Sequence, residues 1–130
     1  IHQLPRKKKW ASKELSEFIV LCYGNKTDPH SIKGSYAGAF GFGQFIPSSF
    51  NFYAIDFDGD NIRHHDKWPD VLGSIANYLL KNGYRSNTND YSKNSSAWKS
   101  VFAYNRSNNY VGVIMELREE IKKGVLNNKL

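Results

Sequence analysis

Residues 34–50 read GSYAGAFGFGQFIPSSF, and this stretch limits the chain's options more than any other. Gly34, Gly38, Gly41 and Gly43 recur too often for a helix interior, where each glycine costs about 1 kcal/mol relative to alanine. They weaken a strand in the same way. A backbone this bare is free to take positive φ and to let another group come close. Rings at Tyr36, Phe40, Phe42, Phe45 and Phe50 surround it, and Gln44 places one amide, both donor and acceptor, among them. The segment reads as an irregular wall, so regular structure must come from its flanks.

Those flanks carry helical periodicity. Ser12 reads as the cap of a helix to about Tyr23, with Leu15, Phe18, Ile19 and Cys22 at helical spacing and Gly24 as its stop. Pro47, Ser48 and Ser49 suit the first turn of a short helix reaching about Tyr53. Asp70 reads as the cap of a helix lined on one side by Val71, Leu72, Ile75, Ala76, Leu79 and Leu80 and stopped by Gly83. A further helix runs from about Ser96 to Phe102 and ends near Tyr104-Asn105. The last starts near Asn108, carries Val113, Ile114, Leu117 and Ile121, and is closed by Gly124, with a frayed tail over 125–130. Polar loops lie between, and neither repeats nor strand alternation break the pattern. The class is mainly α with long loops. A length of 130 residues with 40% apolar content suits a single domain over 1–130.

A net charge of +6 favours an anionic partner: nucleic acid, phospholipid or an acidic cell-wall polymer. No nucleic-acid motif accompanies the charge, which argues against the first. The run Arg6–Lys9 reads as solvated surface. One cysteine, Cys22, excludes an internal disulfide. No apolar run is long enough to span a membrane, and no signal peptide is visible. The chain opens on Ile1 rather than Met, which reads as a processed product or a fragment.

The segment DFDGDNIRHHDK, 56–67, sets Asp56, Asp58 and Asp60 at positions 1, 3 and 5 of an EF-hand-like loop, where carboxylates converge on a hard cation. Ile62 at position 7 would donate its carbonyl. Asn61 at position 6 tolerates the left-handed turn usually given to Gly. Position 12 departs from the pattern, for Lys67 stands where a bidentate Glu is expected. Asp66, Asp70 or water must then complete the shell. Calcium is the expected ion, with an Asp-Gly turn without it as the alternative. Zinc at His64 and His65 is disfavoured, since neighbouring residues seldom share one metal and no Cys joins them.

DPHSIKGSYAGAFGFGQFIPSS, followed by DFDGD, GSIANYLLKNGY and AYNRSNNY, resembles the lytic murein transglycosylase B family from about Leu4 to Lys123. The resemblance implies a lysozyme-like, mainly helical fold with the EF-hand-like loop, and it makes the chain the C-terminal portion of a transglycosylase catalytic domain. It implies peptidoglycan glycan strands as partner, a monomer, and a place in the bacterial cell envelope (the periplasm), with any signal peptide or lipid anchor outside this chain. Such enzymes cleave the β-1,4 bond from N-acetylmuramic acid to N-acetylglucosamine without water. The muramyl 6-hydroxyl attacks, leaving a 1,6-anhydro ring, and one carboxyl group of raised pKa makes both proton transfers without a catalytic cofactor.

By the same resemblance Ser35 orients the catalytic Glu, Gln44 lies in the cleft, and Tyr78, Tyr104, Asn105 and Tyr110 line sugar subsites. Read from the residues alone, Ser35 is equally a helix cap, Gln44 a buried amide, Tyr78 core, and Tyr104-Asn105 a helix terminus. The family's Glu lies well upstream of GSYAGA. Glu14 and Glu17 match a later helix and read as exposed residues rather than as the acid. The rival reading is a non-catalytic peptidoglycan-binding module that has lost its acid.

Overall fold

The computed structural model describes residues 4–127, with side chains over 7–124, so Arg6's side chain and the end of the tail lie outside the described residues. Among these residues are five α-helices and one 3-10 turn; extended pairing is limited to the isolated bridges Gly34–Phe40 and Phe40–Phe45. The chain divides after Asn77 into two compact units, Ile1–Asn77 and Tyr78–Leu130.

In the first unit α1 spans Leu4–Gly24, and α2 spans Pro47–Tyr53, as its proline and serines lead one to expect. Helix α1 starts earlier than Ser12. Pro5 falls in its first turn, where a missing N–H breaks no intrahelical bond. Ser12 is interior, and its hydroxyl donates to the Lys8 carbonyl one turn back, at 3.0 Å. The inward stripe also differs from the apolar spacing. Leu21 and Cys22 are buried, whereas Leu15 and Ile19 are exposed along with Val20 and Tyr23.

What the apolar spacing misses is Glu14, only 9% exposed. Its carboxylate accepts from the Ser48 N–H at 3.0 Å and the Ser48 hydroxyl at 2.8 Å. Helix α2 needs this, because Ile46 at its N-cap has no side-chain acceptor for the first turn. One turn on, Asn51 Nδ2 donates to both the Glu17 carbonyl and its carboxylate, each at 2.8 Å. The acids of α1 thus clamp α2 against it, and neither is a free surface group. Phe40, Phe45, Phe50, Ala54 and Val71 are also buried in this unit. The Phe40 ring lies 5.3 Å from Phe50 and 6.4 Å, edge-on, from Phe18.

Helix α3, Trp68–Lys81, begins two residues before Asp70, which sits in its first turn rather than capping it. Val71, Gly73 and Ser74 form its buried face with Asp70, and Leu72 and Leu80 are exposed. Gly73 leaves room for Phe57, since a Cβ there would meet that ring at 2.8 Å. The helix closes when the N–H groups of Gly83 and Tyr84 return to the Leu80 and Leu79 carbonyls.

In the second unit α4, Ser96–Tyr104, is capped by Ser95, whose hydroxyl accepts from the Trp98 N–H at 3.1 Å. It packs on α5, Asn108–Asn127, around Ala97, Ser100, Val101 and Val111. Helix α5 begins where expected but continues through Gly124, because nothing there turns the backbone left-handed. Val113, Leu117 and Ile121 are exposed.

Replacing Glu14 by Ala should cost about 2–3 kcal/mol in urea unfolding, since it strips a charged acceptor from two donors and opens a buried site. Glu17→Ala, at a more solvated position, should cost about 1 kcal/mol or less. Equal losses would refute the hierarchy.

Candidate functional site

The glycine-rich segment closes on itself before it meets anything else. The Ser35 N–H donates to the Ala39 carbonyl at 2.8 Å, and the Ser35 hydroxyl accepts from the Ala39 N–H at 3.1 Å. Ser35 therefore caps a turn rather than a helix, and it is exposed with its hydroxyl hydrogen still to donate. The Phe40 N–H donates to the Phe45 carbonyl at 3.0 Å, which folds 41–44 into a tight excursion.

Gly41 governs that excursion. Its φ is +66°, and a Cβ there would stand 2.4 Å from the His65 carbonyl oxygen. That same oxygen accepts from the Phe42 N–H at 2.9 Å, so the loop is pinned to the acidic segment by its main chain. Gln44 also takes a positive φ, +49°, and is exposed rather than buried. Its Nε2 donates to the Gly41 carbonyl at 2.7 Å, leaving the second N–H and the amide oxygen for a ligand. The exposed ring of Phe42 packs on exposed Trp68, centroids 4.8 Å apart. The sequence reading missed this pair; Phe42's place among the glycines is the signal for half of it.

A separate concavity of about 310 Å³ lies on the other flank of the segment, lined mainly by Trp10, Glu14, Phe18, Tyr36, Phe40 and Pro47. Gln44 is not among its walls.

In the acidic loop the structure gathers Asp56, Asp58 and Asp70, with one oxygen of each within 4.8 Å of the others. Asp70 is fully buried and accepts from the N–H groups of Phe57 at 2.8 Å and His64 at 2.7 Å. Asp56 accepts from Gly59 and Asn61, each at 2.7 Å. An all-oxygen set at this spacing fits a hard cation such as calcium. Asp60 and Asp66 stand differently. Asp60 turns to His64 and Lys67, and the His64 bond chiefly holds its carboxyl below the usual carboxylate range. Asp66 is exposed, 4.0 Å from the His65 ring. The Ile62 N–H donates to Asp60 at 2.9 Å. Of the residues offered to complete the shell, Asp70 is the one brought in.

In the second unit Tyr78 and Tyr104 meet edge-to-face, centroids 5.1 Å apart, and the Tyr78 hydroxyl donates to the Ala103 carbonyl at 2.8 Å. Both are half-buried. Burial first, then the neighbouring Tyr110 and Tyr78, pushes Tyr104 up to about 12. Asn105 is exposed at the C-cap of α4, and Tyr110 is half-buried in the first turn of α5.

The model for the transglycosylase SLT domain matches residues 2–97. The chain belongs to that family. Membrane-bound lytic murein transglycosylase B of Escherichia coli (strain K12) is 44% identical over 82 residues, which is 62% of this chain and 22% of that protein. The chain thus spans about a fifth of its curated relative. The solved lytic transglycosylase SltB1 from Pseudomonas aeruginosa superposes at a TM-score of 0.81 with 27% identity, over 93% of this chain and 59% of that one. Lytic transglycosylase SLT35 of Escherichia coli, solved in complex with calcium, superposes at 0.82 with 24% identity, over 92% of this chain and 55% of that one. The resemblance to the lytic murein transglycosylase B family holds, and so does the mainly helical, lysozyme-like fold with its acidic loop.

Tyr104 supplies a test in alkali. Its pKa lies near 12 in the folded chain against 10 in a free tyrosine, so the folded state keeps a proton that the unfolded state loses. Its contribution to stability is therefore complete below pH 10 and lost as pH rises through 12. Melting temperature should fall over that window, and Tyr104→Phe should remove one late-titrating group from the tyrosinate absorbance. A Tyr104→Phe titration identical to the parent's would contradict the assignment.

Proposed function

We propose that this chain is the downstream part of a peptidoglycan lytic transglycosylase domain, the two units together forming part of that domain. The observation that carries the reading is the exposed Gln44 amide, held on a pinned, glycine-rich loop beside the Phe42–Trp68 rings, in a chain of the transglycosylase SLT family. Gln44 bonds an acetamido group or hydroxyls, and the ring pair offers an apolar face to a pyranose. Tyr78, Tyr104, Asn105 and Tyr110 serve further sugar positions.

In the reaction, a carboxylic acid protonates the glycosidic oxygen leaving the muramyl C1. It then takes the proton of the muramyl 6-hydroxyl as that oxygen closes on C1, giving the 1,6-anhydro ring. Glu14 and Glu17 are unsuited to this: the first is bound to Ser48 at two atoms, the second to Asn51. The acid is assigned to the part of the longer relatives that this chain does not match, oriented there by the Ser35 hydroxyl. Asp56, Asp58 and Asp70 would hold a calcium ion in a structural role, as the calcium complex of the solved relative suggests. The envelope is the matching location, given a membrane-bound murein transglycosylase as relative. No helix among the described residues is long and apolar enough to cross a membrane.

The commitment of both α1 acids favours one second reading, a peptidoglycan-binding module without turnover. Incubation of this chain with purified peptidoglycan should retain it on the polymer and release no anhydro-muropeptides by mass spectrometry. Anhydro products from this chain alone would place the acid within it. A polypeptide extended upstream should release them if the enzyme reading is right, and none if the module reading is. Gln44→Ala should weaken retention about tenfold with melting unchanged; full retention would remove Gln44 from the site.

A further inference from the structure

One side of helix α1 is spoken for: Glu14 and Glu17 are clamped to α2, and Leu21 and Cys22 are buried. On another side Leu15, Ile19 and Tyr23 stand 60%, 58% and 88% exposed. They recur every four residues, so they form one ridge about 12 Å long at a rise of about 1.5 Å per residue. Leu15 is also a wall of the concavity of about 310 Å³, where Trp10, Ala11 and Phe18 of α1 meet Ile32 and Tyr36. Ridge and groove thus share Leu15 and make one apolar surface, and exposed surface of this kind marks an interface.

The groove is poorly suited to a sugar. Glu14 is the charged residue of its lining, and both carboxylate oxygens already accept from Ser48. The rest is mainly rings, aliphatic groups and glycine, which suit an apolar side chain better than a ring of hydroxyls. The relatives have polypeptide to spare for such a surface: SltB1 superposes over 93% of this chain but 59% of its own, so about two-fifths of that protein lies beyond the match. We propose that ridge and groove together seat an apolar helix from that unmatched part of the polypeptide, which makes this face interior in the longer protein and not a sugar position. A helix is the fitting element, because a ridge of four-residue spacing packs into the grooves of another helix. The proposal rests on the transglycosylase reading, which is what supplies the longer polypeptide.

Thiol labelling of this chain and of the upstream-extended polypeptide tests this. Leu15→Cys marks the ridge, Tyr36→Cys the groove, and Lys13→Cys an exposed position about 200° around α1 from Leu15. The native Cys22 is buried, and burial first, then Asp28, holds its thiol above the usual range, so it adds little signal. In this chain all three introduced thiols should react as freely as in urea. In the extended polypeptide Leu15→Cys and Tyr36→Cys should slow about tenfold or more, and Lys13→Cys should not. Leu15→Lys gives a second readout: it should leave the melting of this chain unchanged and lower that of the extended polypeptide. Labelling that the extension does not slow, slowing of all three thiols alike, or an extended polypeptide indifferent to Leu15→Lys would each overturn the inference. Protection in this chain alone that grows with its concentration would give the face to a second copy instead. Anhydro products from an extended polypeptide whose Leu15→Cys still labels freely would sink this inference and leave the transglycosylase reading standing; protection without products would do the reverse.

Discussion

A buried carboxylate organises the first unit. Asp70 is shut off from water, and an isolated anion in that position would be strongly unfavourable. It is tolerated because the N–H groups of Phe57 and His64 point at it and because it lies in the first turn of α3, whose dipole favours negative charge. Those donors belong to opposite ends of the acidic loop, so satisfying Asp70 closes the loop. Closure fixes the next residue, His65, and the His65 carbonyl is what Gly41 and Phe42 rest against. The position of the Gln44 amide thus traces back to one aspartate in another segment.

A second carboxylate works in the same way on the opposite flank. Glu14 supplies the N-terminal turn of α2 with the acceptor that Ile46 lacks, and so ties the exit of the glycine-rich segment to α1. The segment is held at its middle by the acidic loop and at its end by a helix, each time through main-chain groups. Its own side chains are left to face outward or into the aromatic core.

Sequence periodicity carried much of the helical layout. Proline and serines placed α2, and polar residues placed the starts of α4 and α5. The glycines announced a close approach at 41, and the spaced aspartates announced the loop. The misses share a physical origin. Glu14 and Lys67 act through polar contacts to residues distant in sequence or on another turn, and apolar spacing is blind to these. The same blindness put Leu15 and Ile19 on the inner side of α1, where Glu14 takes part of the buried stripe. In α5, Val111 at the start is fully buried, and Val113, Leu117 and Ile121 remain exposed.

At Gly41 the nearest neighbour is a carbonyl oxygen, and the shape of the wall is written in peptide planes rather than rotamers. Peptide planes anchored by hydrogen bonds have few alternatives to sample, so the ordering entropy of this surface is spent once, during folding. A chain laid along it afterwards surrenders its own freedom and asks little of the protein's.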